Sequence, residues 1–164
     1  DVQSVQETLQ SMVEKLGIQF GSVNVEVVID GNNRVWPIDV GPRAGGNMIP
    51  DLLGMIYGVD LVEMAVQAAM GVPVSCNPKV ASGCYATHNL HSIHDGTYKQ
   101  VIFGTELQRY LKKICLYKKP GDKVERFDNA SKCLGIIFME FPHVGIEKQI
   151  LENIYAYIDV QLME

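Results

Sequence analysis

Two short segments near the start of the chain alternate apolar and polar residues on either side of a turn. Residues 23–30 alternate, residues 31–34 begin with Gly-Asn-Asn, and residues 35–40 alternate again. Alternation with a period of two is typical of β-strands, and Gly and Asn between two such segments favour a tight connection. The sequence therefore predicts a β-hairpin here, and this hairpin is the most constrained element of the chain.

Each strand of the predicted hairpin carries one carboxylate, Glu26 and Asp39. If residues 31–34 form the loop, Asp30 pairs with Val35 and Glu26 lies opposite Asp39. Directly opposed residues share a face, with Cβ atoms about 5 Å apart. The other face is apolar and is expected to pack on a core: Val25, Val27, Ile29, Trp36, Ile38 and Val40.

Two like charges at this distance disfavour each other unless a cation lies between them. Mg²⁺ takes hard oxygen ligands and is commonly held by one or two carboxylates together with substrate phosphates. Arg43 follows Asp39 by four residues, and a guanidinium matches phosphate oxygens in its geometry. Gly45 and Gly46 allow a close approach to the backbone. The pattern indicates a site for a metal-bound polyphosphate; the alternative is a solvent-facing hairpin whose carboxylates Arg43 neutralises.

Residues 20–53 resemble the hairpin in the C-terminal catalytic core of the ATP-grasp superfamily. In that family the first strand carries a glutamate, often with an asparagine two residues before it, and the second strand ends in a Glu-x-Asn-x-Arg motif. Asn24 and Glu26 occupy the first two places, and residues 39–43, Asp-Val-Gly-Pro-Arg, occupy the motif. The resemblance implies that Glu26 and Asp39 are the acidic Mg²⁺ ligands. It also implies that Arg43 is the arginine near the phosphates or the acyl-phosphate intermediate.

Two positions depart from the family pattern. Asp39 stands where glutamate is usual and is one methylene shorter. Gly41 stands where asparagine is usual, and it has no side chain to offer as a ligand. We therefore expect either a lower metal affinity than in the family or a water molecule in place of the missing amide.

The resemblance is good over residues 1–71 and looser beyond them. A complete ATP-grasp enzyme is longer than 164 residues and carries an N-terminal domain and a lysine-bearing, glycine-rich loop before this region. The chain is therefore expected to be a fragment of a larger protein. Residues 1–71 are expected to be the C-terminal part of the catalytic lobe, and residues 72–164 a small β-rich subdomain with a terminal helix. The implied fold is α+β, an antiparallel sheet with flanking helices.

Local signals place further elements along the chain. A helix is predicted at residues 48–57, ended by Gly58, and another from Asp60, with Glu63 at capping-box spacing. Beyond the Pro- and Gly-containing segment 72–83, strands are predicted at residues 85–93, 98–103, 113–118 and 133–141, the first two around the turn Asp95-Gly96. A final helix is predicted because apolar residues recur every three or four positions: Ile146, Ile150, Ile154, Tyr157, Ile158 and Leu162.

Composition excludes several classes of partner. Apolar residues make up 47% of the chain and charged residues 20%, as in globular domains. A formal net charge of −5 without a basic cluster argues against nucleic acid. No apolar stretch reaches the roughly twenty residues of a membrane span. The four cysteines form no CxxC pair, which fits a reduced, cytoplasmic setting.

The resemblance implies that the parent protein is an ATP-dependent ligase, of the carboxylate-amine, carbamoyl-phosphate-synthase-like or biotin-carboxylase-like kind. ATP converts a substrate carboxylate to an acyl phosphate, and an amine or similar nucleophile then displaces phosphate. The resemblance further implies that Glu26 and Asp39 hold Mg²⁺ or Mn²⁺ and that Arg43, as the catalytic residue, binds the phosphates and stabilises developing charge. The expected partners are ATP, a small-molecule carboxylate and the missing N-terminal part, so this fragment alone is not expected to complete a catalytic cycle.

Two other functions are left open. One is a degenerate ATP-grasp module that binds nucleotide or acts as an interaction surface without turnover, because Asp39 and Gly41 depart from the motif. The other is a metal-binding module built on His88, His91 and His94, since imidazole is a common transition-metal ligand. On a strand, however, His88 and His94 share one face while His91 points to the other, which argues against a zinc site.

Overall fold

The computed structural model describes residues 2–163, and the chain divides between Lys79 and Val80 into two compact units. Within its described residues, 2–79, the first unit contains three helices and one two-stranded antiparallel sheet. Its elements are α1 (Val2–Lys15), β1 (Asn24–Ile29), β2 (Val35–Gly41), α2 (Ile49–Tyr57) and α3 (Leu61–Ala69).

Over residues 80–163, the second unit contains two three-stranded antiparallel sheets, in the orders β3-β7-β5 and β6-β4-β8. Its strands and helices are β3 (Cys84–Leu90), β4 (Gly96–Phe103), α4 (Thr105–Gln108), β5 (Leu111–Leu116), β6 (Lys123–Val124), β7 (Gly135–Phe141), α5 (Val144–Glu152) and β8 (Ile158–Leu162). Single turns of 3₁₀-helix occur at Ala130–Lys132 and Ile154–Ala156. Antiparallel sheets with flanking helices confirm the predicted α+β class.

The ends of α2 and α3 follow from local chemistry, as the sequence predicts. Helix α2 has a proline in its first turn and ends at Gly58, whose φ of 68° is unfavourable for residues with a Cβ. The Asp60 carboxylate caps α3 by accepting hydrogen bonds from the backbone N–H groups of Val62 and Glu63. Each cap satisfies a backbone group that the helix itself leaves unpaired.

The hydrophobic core of the second unit is built on β7, the central strand of its sheet. Every residue of β7 except Glu140 is buried, and helix α5 packs against the same core through Ile150. The core also includes side chains from both sheets and from the connecting segments: Leu90, Tyr98, Leu107, Val124, Leu134, Ile137, Met139, Phe141 and Ile154. A strand buried on both faces is the expected consequence of a continuous apolar run such as residues 136–139.

The first unit differs from the second because none of its described residues, 2–79, is fully buried. The apolar hairpin residues that were expected to pack on a core are half-buried at best. Ile29, Ile38 and Val40 are 44%, 62% and 38% exposed. The expectation of a covered apolar face is therefore wrong for this chain, because no described element covers these side chains fully.

The final helix predicted over residues 146–162 is also wrong beyond α5. Helix α5 ends at Glu152, because Asn153 takes φ −118° and ψ 20°, outside the helical region. A single 3₁₀ turn follows, and the chain then enters β8, in which Val160 pairs with Val101 of β4. Ile158 and Val160 are β-branched and fit a strand better than a helix. Thus the last element of the described residues is a strand and not the expected terminal helix.

The turn expected at Asp95-Gly96 does not join two paired strands. Strand β3 ends at Leu90 and pairs with β7, whereas β4 pairs with β6 and β8. The Asp95 carboxylate instead accepts a hydrogen bond from the backbone N–H of Arg126. A turn signal in the sequence shows that the chain changes direction, but the partner of each strand depends on distant residues.

Among the described residues, no single helix is long and apolar enough to cross a membrane. Helices α2 and α3 reach the required length and composition only when they are taken together, and the chain bends by 111° between them.

Gly135 on the central strand provides a test of how tightly the second unit is packed. A Cβ at this position would overlap the backbone carbonyl of Cys115 and lie 2.9 Å from the Cα of Leu116. Overpacking of this kind costs about 1–3 kcal/mol. We expect Gly135→Ala to lower the free energy of unfolding by about 2 kcal/mol in urea denaturation.

The matched control is Gly104→Ala in the same unit, because a Cβ there meets Tyr157 at the ordinary contact distance of 3.5 Å. Equal stability of the two variants would contradict the tight packing of β7 against β5.

Candidate functional site

The hairpin turn is closed by the carboxylate of Asp30. One oxygen accepts from the backbone N–H groups of Asn32 (2.8 Å) and Arg34 (3.0 Å). The other accepts from the Arg34 Nε (2.8 Å) and the Trp36 Nε1 (3.1 Å). The side-chain hydrogen bond from Trp36, followed by the backbone hydrogen bond from Arg34, lowers the pKa of Asp30 from 3.8 to about 2. Asp30 is therefore ionised at neutral pH and holds four donors around the turn.

The structure pairs Glu26 directly with Asp39, as the sequence predicts for this half of the hairpin. The register then shifts by one residue between Glu26 and Val27, so Ile29, and not Asp30, pairs with Val35. The extra residue lies beside Pro37, which has no N–H for a ladder hydrogen bond. Prolines within sheets are found at edges and bulges for this reason.

The bulge changes which side chains share a face. Trp36 was expected on the apolar face, but it pairs with Val28. Because Val28 lies two residues from Glu26 on the same strand, Trp36 lies on the carboxylate face. Trp36 is 50% exposed, and the Arg34 guanidinium carbon lies 5.5 Å from the centre of its ring. The sequence analysis missed this aromatic residue beside the carboxylates, although Pro37 was a local sign of the bulge.

Glu26 and Asp39 are both exposed at the surface of the hairpin. Two facing carboxylates with free lone pairs form a hard, anionic donor set, which suits Mg²⁺ when phosphate oxygens or water complete the coordination. In the part of the chain that the structure describes, no group of three or more His, Cys, Asp or Glu side chains is arranged to hold a metal ion. Any metal here would therefore depend on ligands beyond the two carboxylates.

Arg43 and the glycine pair lie in the loop that follows β2. The Arg43 backbone N–H donates to the carbonyl of Gly41 (2.8 Å), and its Nη1 donates to the carbonyl of Ala44 (2.8 Å). Over residues 2–163, Arg43 forms no ion pair with either hairpin carboxylate. Its exposed guanidinium therefore keeps further N–H groups for an anion.

Gly45 lies in a closely packed part of the same loop. A Cβ at this position would lie 2.8 Å from the Ile49 Cδ1 and 3.2 Å from the Asn24 Oδ1. The loop therefore packs closely against β1 and α2 at this position. A side chain here would require either the Ile49 side chain or the loop that carries Arg43 to shift.

The second unit contains a separate cavity of about 800 Å³ lined by aromatic, apolar and polar side chains. The rings of His88 and His91 are 5.9 Å apart, and each lies 5.7 Å from Tyr155. His91 also stacks on Phe127 at 4.5 Å. The cavity lining comprises His88, His91, Ser92, Ile93, His94, Tyr155, Ile158, Asp159, Val160 and Leu162.

The expected arrangement of the three histidines is wrong. They were placed on one strand with His88 and His94 sharing a face, but β3 ends at Leu90, so the chain turns and brings His91 against His88. The three histidines do not form an arrangement that could hold a metal ion. Contacts with Tyr155 and Phe127 instead make His88 and His91 part of an aromatic cluster.

Burial, and then the charge of His91, lower the pKa of His88 below its ordinary value of 6.5. The unfolded chain therefore binds this proton at a higher pH than the folded chain does. The contribution of His88 to stability is therefore present above pH 6.5. It is lost as the pH falls from the pKa of His88 in the unfolded chain towards its lower pKa in the folded chain. We expect the His88 ring protons to titrate below pH 6.5 in NMR, and His88→Phe to weaken the acid dependence of urea unfolding between pH 5 and 7.

His94→Phe is the matched control, because His94 is an exposed histidine at the same cavity. Titration of His88 at or above pH 6.5 would contradict its burial in the cluster.

Comparisons with known proteins place this geometry in a wider context. No family model matches the chain. A protein of Sinorhizobium fredii described as the uncharacterized protein y4rH is 26% identical in an alignment of 159 residues that covers 93% of this chain and 32% of that protein.

Solved structures resemble the chain over nearly its whole length. Phosphoribosylglycinamide synthetase from Anaerococcus prevotii has a TM-score of 0.81 at 19% identity over 99% of this chain. L-amino acid ligase from Bacillus licheniformis has a TM-score of 0.76 at 16% identity over 98% of this chain. The biotin carboxylase domain of Hydrogenobacter thermophilus 2-oxoglutarate carboxylase, solved with MgADP and bicarbonate, has a TM-score of 0.67 at 11% identity over 91% of this chain.

The chain spans only 42%, 41% and 33% of the lengths of these three solved chains. At such identities the likeness is one of fold. Together with the paired strands that carry the motif, it confirms the resemblance predicted from the sequence. The chain has the fold of the C-terminal lobe of the ATP-grasp ligases.

Proposed function

We propose that the protein carrying this chain is an ATP-dependent ligase that activates a carboxylate as an acyl phosphate for attack by an amine or similar nucleophile. In this proposal, the chain supplies contacts to the phosphates of Mg-ATP. The observation that carries the proposal is the direct pairing of the two exposed carboxylates, Glu26 and Asp39, next to a loop with the exposed Arg43. The ligase names of the structural neighbours and the MgADP bound to one of them support it.

The donor set fits the proposed ion. Mg²⁺ usually keeps several waters and is held by one or two carboxylates together with substrate phosphates, so two facing carboxylates are a sufficient protein contribution. When bound, the ion would neutralise phosphate charge during transfer. Mn²⁺ has the same preference for oxygen ligands and can serve as a probe.

The residues of the chain have separate tasks in this proposal. Glu26 and Asp39 hold the metal-bound phosphates against the hairpin. Arg43 binds phosphate oxygens and stabilises the charge that develops as the phosphoryl group moves to the substrate carboxylate. Gly45 keeps the loop close to β1 and thereby sets the position of Arg43.

The rest of the site is expected to come from other parts of the full-length protein. The chain spans 42% of the synthetase that it resembles, so the pockets for the substrate carboxylate and for the nucleophile are assigned to the remaining length. A cytoplasmic setting is part of the proposal because all four cysteines are free thiols.

A second candidate is a module that binds nucleotide without turnover. Gly41 favours it, because the position of the motif asparagine carries no ligand. The two candidates make the same prediction for nucleotide binding and differ in whether the full-length protein releases ADP in the presence of a carboxylate and an amine.

Neutralising both carboxylates tests the shared part of the proposal. In the full-length protein that carries this chain, Glu26→Gln with Asp39→Asn should weaken Mg²⁺-dependent ATP binding at least about tenfold, because the charged metal ligands are lost. Isothermal titration calorimetry measures the affinity.

The control is Glu7→Gln with Glu14→Gln, which makes the same change in charge at two exposed carboxylates of α1. ATP binding that is unchanged in the hairpin variant, or that is weakened equally in the control, would overturn the assignment of the metal and phosphates to this hairpin.

A further inference from the structure

Asn24 lies directly opposite Gly41 across the hairpin. The ATP-grasp pattern has an asparagine at the position of Gly41 and often another at the position of Asn24. This chain keeps only the second of the two amides. The side chain missing from β2 is therefore faced by an amide on the neighbouring strand.

The pairing places this amide among the proposed ligands. Asn24 and Glu26 are two residues apart on β1, so they share a face. Gly41 and Asp39 are their direct partners on β2 and lie on that same face. These four positions form one patch, in which the absent side chain of Gly41 leaves room beside Asn24.

The Asn24 amide is also available for a ligand. The residue is half-buried, and its side chain makes no hydrogen bond within residues 2–163. Its Oδ1 lies 3.2 Å from the position that a Cβ would take on Gly45. The amide oxygen thus faces the loop that carries Arg43, and within residues 2–163 neither the donor nor the acceptor of this amide is used. An amide oxygen is a hard ligand of the kind that Mg²⁺ accepts.

We propose that the amide oxygen of Asn24 is a ligand of the metal ion that binds the nucleotide phosphates. It takes the place of the asparagine that the motif has at position 41. This inference rests on the proposed function of the hairpin. In this proposal, the amide that is absent at Gly41 on β2 is replaced by the Asn24 amide on β1. The protein ligands of the metal ion are then Glu26, Asp39 and Asn24.

Substitutions at Asn24 show whether the amide oxygen or the amide nitrogen is responsible for metal binding. We measure Mn²⁺ binding to the full-length protein in the presence of ADP, from the electron paramagnetic resonance signal of free Mn²⁺. Asn24→Ala should weaken Mn²⁺ binding at least about tenfold. Asn24→Asp keeps an oxygen ligand and should bind Mn²⁺ at least as tightly as the wild type. A loss in Asn24→Asp equal to that in Asn24→Ala would overturn an oxygen ligand.

Placing an amide at position 41 on β2 distinguishes two possible roles of Asn24, as a metal ligand or as a support for the Gly45 loop. A Cβ on Gly41 meets its nearest neighbour, Arg43 Cγ, at the ordinary distance of 3.7 Å, so Gly41→Asn is sterically allowed. If Asn24 is a ligand, Gly41→Asn in the Asn24→Ala background should restore Mn²⁺ affinity to within about threefold of the wild type. If Asn24 only supports the Gly45 loop, an amide at position 41 cannot replace it, and failure of this rescue overturns the proposal.

Two further comparisons make the outcome decisive. Asn77→Ala removes an exposed amide outside the hairpin and should leave Mn²⁺ binding unchanged. The carboxylate variant, Glu26→Gln with Asp39→Asn, reports on the proposed function itself. If it loses Mn²⁺ while Asn24→Ala does not, the role of Asn24 is wrong and the hairpin site stands; if neither loses Mn²⁺, both are wrong. Far-UV circular dichroism at the assay temperature confirms that each variant is folded.

Discussion

The direct pairing of Glu26 with Asp39 is the constraint on which the candidate site depends. Two like charges on directly opposed residues repel each other, and the exposure of both carboxylates to water keeps this repulsion weak in the free chain. A bound cation reverses the sign of this interaction, because each carboxylate then gains an attractive partner. The hairpin therefore gains more from a divalent ion than a neutral pair of strands would.

The turn and the bulge hold this pair in register. Asp30 closes the turn with four hydrogen bonds, and the bulge beside Pro37 absorbs one residue between the turn and Asp39. A shift of one residue would move either carboxylate to the opposite face. Alternation and turn residues were enough to predict the hairpin and the pairing of Glu26 with Asp39. The bulge was not predicted, because it adds a single residue and its only local sign is a proline; this is why Trp36 was placed on the wrong face.

Elsewhere the limit of sequence-based prediction is the choice of distant partners. The spacing of Ile146, Ile150 and Ile154 correctly predicts an apolar stripe, of which Ile150 and Ile154 reach the core. The same spacing continues into β8, where pairing with β4 outweighs the helical pattern. His91 meets His88 because β3 ends at Leu90, whose carbonyl accepts a hydrogen bond from the backbone N–H of Leu134. No local pattern contains that information, since the two residues are far apart in the chain.

The two units also differ in what can stabilise them. The second has a buried core, whereas the first carries the candidate site on a two-stranded sheet with no fully buried residue in its described part, 2–79. An isolated hairpin is only marginally stable in water. A ligand that binds the folded hairpin, and not the unfolded one, stabilises the folded state. The stabilisation grows with the logarithm of the ratio of ligand concentration to dissociation constant. Ligand binding and the order of the hairpin are therefore thermodynamically linked, and a residue such as Asp30 that holds the strands together affects affinity without touching the ligand.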